Sequence, residues 1–328
     1  MTRDSALWYS DGNVVVGSGS TLFRVHKSVL SKHSEVFDGM FSGPPHTGEE
    51  VDGCPFVRLF GDHPSEVRCM LKDMYGLRDR TSRKVTLEVL CVLVRLGEKY
   101  DIPAMRAEGD NILRELYDVS LEVFQERNQA VSLFGGSLYC GTPDPNARAD
   151  FPIAPWKRQH CFDIYVLARD HVMNTIAARA LYGCCRWPLA DLKLELTTLL
   201  TPDVLWACAL GREILAKRGG VQLLKLNPAH LKTIPMPMGL FSASAPCEKQ
   251  DVCGPALEKT FKIVRLGLAP PRQYPVGEDD RYALIQRLKQ ELCGSCQARV
   301  TRAIQDDARV VWNSLPDLLA SAMAGAPA

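Results

Sequence analysis

FRVHKSVLSKHSEVFDGMF, residues 23–41, opens as a strand, turns basic at His26-Lys27 and then repeats apolar residues at helical spacing. Phe23 and Val25 flank polar Arg24, the two-residue period of a half-buried strand. Beyond Ser28, the apolar positions Val29, Leu30, Val36, Phe37, Met40 and Phe41 recur so as to line helix faces. Ser34 divides the run: its hydroxyl can accept a bond from a free backbone N–H and start a second short helix. A polar His-Lys pair between such apolar runs is either a ligand site or a structural junction. A catalytic histidine needs an activated nucleophile and an orienting acid, and Lys27 and Ser28, adjacent in sequence, do not supply that geometry.

Working outward, NVVVGSGSTLFRV (13–25) predicts a hairpin with Gly17-Ser18-Gly19-Ser20 as its turn. A strand rather than a helix follows this glycine-rich loop, and Lys27-Ser28 lacks a preceding glycine, which disfavours a phosphate cradle. Gly43-Pro44-Pro45 ends the helical run. PFVRLF (55–60) predicts another strand. DHPSEVRCMLKDMYG (62–76) predicts a helix with Pro64 in its first turn, Val67, Met70, Leu71, Met74 and Tyr75 on one stripe, and Gly76 at its end. Residues 85–102 predict a more fully buried helix, and Pro103 opens another over 103–116. Strands followed by antiparallel helices define an α+β fold for this first third.

After Tyr117 the strand signals fade, and the region reads as mostly α-helical. Ser120 is a candidate cap; 135–155 reads as a Gly/Pro-rich loop; 162–185 reads as strongly helical; 201–218 reads as a helix capped by Thr201 with Pro202 in its first turn. Residues 234–247 read as a linker, and 279–320 as a helix, a turn at Cys293–Cys296 and a second helix ending before Pro316. This gives three segments: an α+β domain over 1–118, a helical region over 119–240 and a cysteine-containing helical hairpin region over 241–328. The first is expected to fold alone.

The first 118 residues resemble a BTB/POZ domain. The resemblance rests on Asp11 ahead of the hairpin, LFRVHKSVLSKHSEVFDGMF (22–41), FVRLFGDHPSEVRCMLKDMYG (56–76) and LEVLCVLVRLGEKYDIPAMRAEGDNIL (87–113). Within it the matching positions are Asp11, His26, Lys27, Leu30, Ser34, Phe37, Met40 and Phe41. The opening LWYSDGNVVV resembles the fungal BTB proteins, many with a cysteine-bearing helical C-terminal region. The resemblance implies that His26 makes a hydrogen bond or ion pair across the strand–helix junction, with Asp11 close by in the fold. It also implies an interaction module without chemistry that recruits protein partners and forms a homodimer through its first strand and first helices. The apolar residues available for such a surface are Trp8, Tyr9, Leu30, Met40 and Phe41; Phe37, Met40 and Phe41 suit a core equally, whereas Trp8 and Tyr9, ahead of the hairpin, are expected to be the exposed anchors. Some family members are substrate adaptors of cullin-type ubiquitin ligases, which is the alternative function. Adaptors often place an apolar residue two before a Glu in the loop after the Met-Phe helix; in SGPPHTGEEVDG (42–53) neither Glu49 nor Glu50 has one.

The chain of 328 residues is 46% hydrophobic with a formal net charge of +1, a balance that gives no reason to expect nucleic acid or an anionic membrane as the main partner. The opening residues carry no apolar leader, and the longest apolar stretch, 196–211, is broken by Pro202 and Asp203. The expectation is an intracellular protein, cytoplasmic and/or nuclear, whose 12 cysteines are reduced. One C-x-x-C, Cys293-Gly294-Ser295-Cys296, has metal-like spacing, and with Cys247 and Cys253 it offers four thiolates for a structural zinc. A redox pair or plain packing are the alternatives. Cys184-Cys185 reads as packing, and Asp306-Asp307 as a solvated helix face. No hydrolase, zinc-protease, P-loop or dinucleotide motif stands in a credible context, so the chain is expected not to be an enzyme, with redox chemistry at the C-terminal cysteines as the alternative of a different class.

Overall fold

The computed structural model describes residues 1–43, 48–80, 84–124, 152–153, 159–185, 201–224, 247–265, 288 and 290–324. The chain divides into two compact units, one holding Met1–Val119 and Ala130–His160, the other Ser120–Gln129 and Cys161–Ala328.

The first unit begins with a strand the sequence did not announce. β1 (Thr2–Trp8) is TRDSALW, and of its residues only Asp4 and Leu7 are fully buried. β1 runs parallel to β3 (Thr21–Val25), with Thr2 opposite Thr21 and Trp8 opposite Arg24. The register slips between Arg3 and Trp8. There the Asp4 carboxylate accepts the N–H groups of Ala6 (2.9 Å) and Leu7 (3.0 Å), so a side chain replaces part of the ladder. The other Asp4 oxygen pairs with Arg68 on α3 (Pro64–Met74).

β2 (Val14–Ser18) pairs antiparallel with β3 from Val14–Val25 to Ser18–Thr21. The turn is thus only Gly19-Ser20; Gly17 and Ser18, expected in it, extend the strand. Gly19 adopts φ +52°, a conformation glycine takes without a steric penalty. On its other side β2 runs parallel to β5 (Cys54–Leu59), and a short β4 (Glu50–Val51) completes the order β1-β3-β2-β5-β4. Every residue of β2 is buried, as a strand paired on both sides of a covered sheet requires.

Helices α1 (Lys27–His33) and α2 (Glu35–Ser42) form the hairpin read from the opening stretch. Ser34 accepts from the Phe37 N–H at 3.1 Å and also donates its hydroxyl to the Tyr100 carbonyl. α3 follows β5, starting from His63, whose ring caps the helix while Glu66 reaches back to the His63 N–H. α4 (Leu87–Lys99), capped by Thr86, packs closely on α5 (Pro103–Tyr117). Asp62 is a buried anchor between layers: its carboxylate takes bonds from Lys99 (2.6 Å) and Tyr100 (2.5 Å), and its carbonyl accepts from Ser18 (2.7 Å).

Of the 135–155 loop only Pro152 and Ile153 lie within the described residues. Ile153 is buried and bridges Val85, whose N–H bonds the Pro152 carbonyl at 2.9 Å. A 1–118 fragment is therefore expected to unfold cooperatively, but at a lower temperature than a 1–160 fragment. Parallel thermal melts by circular dichroism check this; equal midpoints would show that the bridge adds nothing.

The elements described in the second unit are all helices. The helical stretch read over 162–185 consists of two helices, α6 (His160–Asp170) and α7 (Asn174–Cys185). Val172 stands at φ +58° between them. The Val172 N–H reaches the Arg169 carbonyl (3.1 Å) and the Met173 N–H the Ala168 carbonyl (2.8 Å), the bonding pattern of a Schellman end with valine where glycine is usual. α8 (Pro202–Leu224) follows, with Thr201 accepting from the Val204 N–H at 3.4 Å. The linker read at 234–247 lies outside the described residues except for Cys247.

α9 (Gln250–Arg265), α10 (Gly294–Leu318) and α11 (Ala320–Met323) complete the unit. α10 corrects two expectations. Cys296 lies inside its first turn rather than in the preceding bend, and the helix continues through Pro316. Burial of Trp312, Leu315 and Leu319 on both sides of the proline holds that last turn in place. Asp307, expected on a solvated face, is buried. Trp312 packs on Phe124 (4.4 Å between ring centroids) and Tyr182 (6.0 Å), beneath the Arg179 guanidinium.

Candidate functional site

Two places concentrate polar chemistry: the strand–helix junction at His26 and a knot of cysteines near the C-terminus.

At the junction, β3 delivers His26 to the start of α1. Its Nε2 lies 3.3 Å from Asp11 Oδ1, and its Nδ1 lies 2.8 Å from the Tyr75 hydroxyl. The same hydroxyl accepts the His26 backbone N–H at 2.8 Å. In the neutral ring this places the proton on Nε2, facing Asp11, and leaves Nδ1 to accept from Tyr75. Tyr9 stacks on Tyr75, with ring centroids 4.9 Å apart and planes 13° apart, and tilts against His26 at 5.3 Å. Burial raises the Tyr75 pKa, with a smaller opposing effect from the bond it accepts. Lys27 donates its N–H to Asn13 Oδ1 at 2.8 Å and lays its ammonium over Phe41. The cluster ties the tip of β1, the hairpin, α1 and the end of α3 together.

The sequence pointed to Asp11 and His26 but missed Tyr75, which reads as one more apolar residue on the α3 stripe. It also missed the Asp4–Arg68 pair, because nothing in TRDSALW marks Asp4 as buried. Burial and three hydrogen-bond donors act oppositely on Asp4, and the donors win: its pKa lies below the usual carboxylate value.

The apolar candidates separate clearly. Leu30 and Phe37 are fully buried and belong to the core. Met40 and Phe41 are half-buried, and Val36 is 39% exposed. Trp8 and Tyr9 are not the exposed anchors expected: both are half-buried. Trp8 packs on the Val15–Leu22–Cys54 cluster beneath Arg3, and Tyr9 packs on Tyr75. Both rings therefore pack within their own chain and keep part of their surface open.

The cysteines form two groups. Cys184 and Cys185 are buried in α7 beside Cys161 and Cys208; burial, then hydrogen bonding to Cys161 and Cys208, pushes the Cys184 thiol up. This is packing. The other group is Cys247, Cys253, Cys293 and Cys296, whose four sulfurs all lie within 4.8 Å of one another. Among the described residues it is the one set of His, Cys, Asp or Glu donors close enough to share an ion. Cys253 sits in the first turn of α9, Cys293 is the residue just before α10 and Cys296 is in its first turn. The Cys293 N–H donates to Cys253 Sγ at 3.3 Å. Burial pushes the Cys293 thiol up, but bonds from the backbone N–H groups of Cys296 and Glu248 and from neighbouring thiols outweigh it and bring it to about 6. Cys253 and Cys296 are raised, by burial first.

A covered five-stranded sheet, a helical hairpin entered through a histidine junction and a close pair of following helices define an α+β domain. Residues 4–117 match the family model of the BTB/POZ domain, and the chain carries that domain, a protein–protein interaction module. No curated protein matches the chain. Among the described residues no helix is long and apolar enough to cross a membrane.

Proposed function

We propose that this is a non-enzymatic interaction protein that self-associates through its BTB/POZ domain as a homodimer and recruits further proteins. What supports self-association is the placement of β1. It stands at the edge of the sheet, and β3 is the one strand it pairs with among the described residues. An open strand edge is a template for a strand of another chain. α2 adds exposed Val36 and half-buried Met40, four residues apart and so on one helix face, with apolar area to bury. The occupant that fits is a second copy, since the same edge and face would then meet across a two-fold axis. The His26 cluster keeps a structural role in this reading.

Sedimentation velocity of the full chain over a range of concentrations is expected to show a reversible dimer. The pair Val36→Glu and Met40→Glu, both on partly open surface, is expected to shift it to monomer without lowering the melting temperature appreciably. Trp8→Ala with Tyr9→Ala should also weaken it, but with a loss of stability, because both rings pack within their own chain. A wild-type monomer at every concentration overturns the self-association. Capture of a cullin-type scaffold by that monomer would make the adaptor reading the better one.

A further inference from the structure

We propose that Cys247, Cys253, Cys293 and Cys296 bind one zinc ion, which staples the start of α9 to the turn that enters α10.

Donor geometry carries the argument. Zinc holds thiolates at about 2.3 Å in a tetrahedron, so its sulfurs stand about 3.8 Å apart. Cys247 Sγ and Cys293 Sγ are 3.9 Å apart, and no pair in the set exceeds 4.8 Å. All four cysteines are free thiols, with no sulfur–sulfur bond among them. Their spacing is too compact for an iron–sulfur cluster, which spreads its thiolates over more than one iron. A single ion at the centroid needs only small side-chain rotations.

The surroundings suit thiolates. The Cys293 N–H points at Cys253 Sγ, an outer-shell bond of the kind that orients metal ligands. Both α9 and α10 present their N-termini to the sulfurs, and the positive end of a helix favours negative charge. Cys253, Cys293 and Cys296 are buried and Cys247 is half-buried. Four protein ligands in such a setting leave no open position for water or substrate, so the role is structural rather than catalytic. Binding displaces the thiol protons: each sulfur gives up its proton to solvent and donates an electron pair to the ion.

The local core explains why an ion would matter. Apart from the cysteines, the buried residues here are Ala256, Leu257, Leu288, Leu292 and Val300. Cys253 and Cys293 are 40 residues apart, so the ion would close a long loop over a small apolar cluster. The Cys161–Cys184–Cys185–Cys208 group supplies an internal contrast. Those thiols also pack together, yet they do not converge as a donor set.

The test uses the full chain, purified under reducing conditions without chelator. Elemental analysis is expected to find one zinc per chain and no iron. Exchange into cobalt is expected to give the sulfur-to-cobalt charge-transfer band and the strong d–d bands of a tetrahedral thiolate site. Cys253→Ser with Cys296→Ser is expected to lose the metal, while Cys69→Ser, in the first unit, keeps it. Hydrogen exchange over 250–260 and 294–304 should rise when wild-type protein is stripped of zinc. Zinc-free wild-type protein that shows no tetrahedral cobalt spectrum overturns the proposal, whatever the variants do. So does full metal content in the double variant, and iron in place of zinc overturns the identity of the ion.

Discussion

Phe37→Ala is expected to destabilise the first unit by about 3–5 kcal/mol, the range for removing a large aromatic side chain from a packed core. Phe37 is fully buried. Its ring stacks on Tyr100, centroids 5.0 Å apart and planes 6° apart, and lies 6.0 Å from Phe41. The stack joins elements far apart in sequence, because Tyr100 closes α4 while Phe37 sits on α2. Ser34 fixes the same contact from below, holding the Phe37 N–H and the Tyr100 carbonyl together. With both sides pinned, the walls of the cavity cannot close inward, which sets the cost near the top of the range. Urea unfolding of the full chain, with hydrogen exchange over 87–117 to isolate the first unit, measures it. A loss under about 1 kcal/mol would show that α2 relaxes into the space.

Phe37 also shows what was legible in the sequence. Its place in an apolar repeat, after a serine that caps a helix, identified the hairpin, and the same logic of period and punctuation identified α3, α4 and α5. Sequence pattern misleads where a side chain does something its type rarely does. Val172 takes a left-handed conformation and ends a helix, although β-branched residues there are strained and glycine is the usual signal. Pro316 stays inside α10 because tertiary burial on either side outweighs one missing N–H. β1 carries too few apolar residues to read as a strand, and its register depends on the Asp4 side chain acting as backbone acceptor. The sites divide in the same way. The four C-terminal cysteines were legible as a set because spacing survives folding, whereas Tyr75 and Arg68 were not, since only the fold brings them to His26 and Asp4.

Gly97→Val is expected to destabilise the first unit by about 3 kcal/mol, at the upper end of what overpacking usually costs, whereas Gly39→Ala should stabilise it by roughly 0.5–1 kcal/mol. Both glycines lie inside helices, so propensity alone predicts a gain at each. Their surroundings reverse the sign at one of them. A Cβ on Gly97 would stand 2.9 Å from the Arg106 backbone nitrogen and 3.2 Å from its Cα. Backbone cannot rotate away as a side-chain tip can, so α4 and α5 must separate. A second glycine tightens the same pair: a Cβ on Gly109 would meet Val94 at 2.7 Å. The separation would also strain the 2.7 Å bond from the Ile102 N–H to the Gly97 carbonyl that closes α4. Around Gly39 nothing lies within 4 Å, so alanine there only reduces the freedom of the unfolded chain. Melting temperatures of the two variants, measured beside Gly97→Ala, separate the effects. Gly97→Ala falling between the wild type and Gly97→Val marks crowding as the cause, and a Gly97→Ala melting temperature above that of the wild type would show that the two helices are free to move apart.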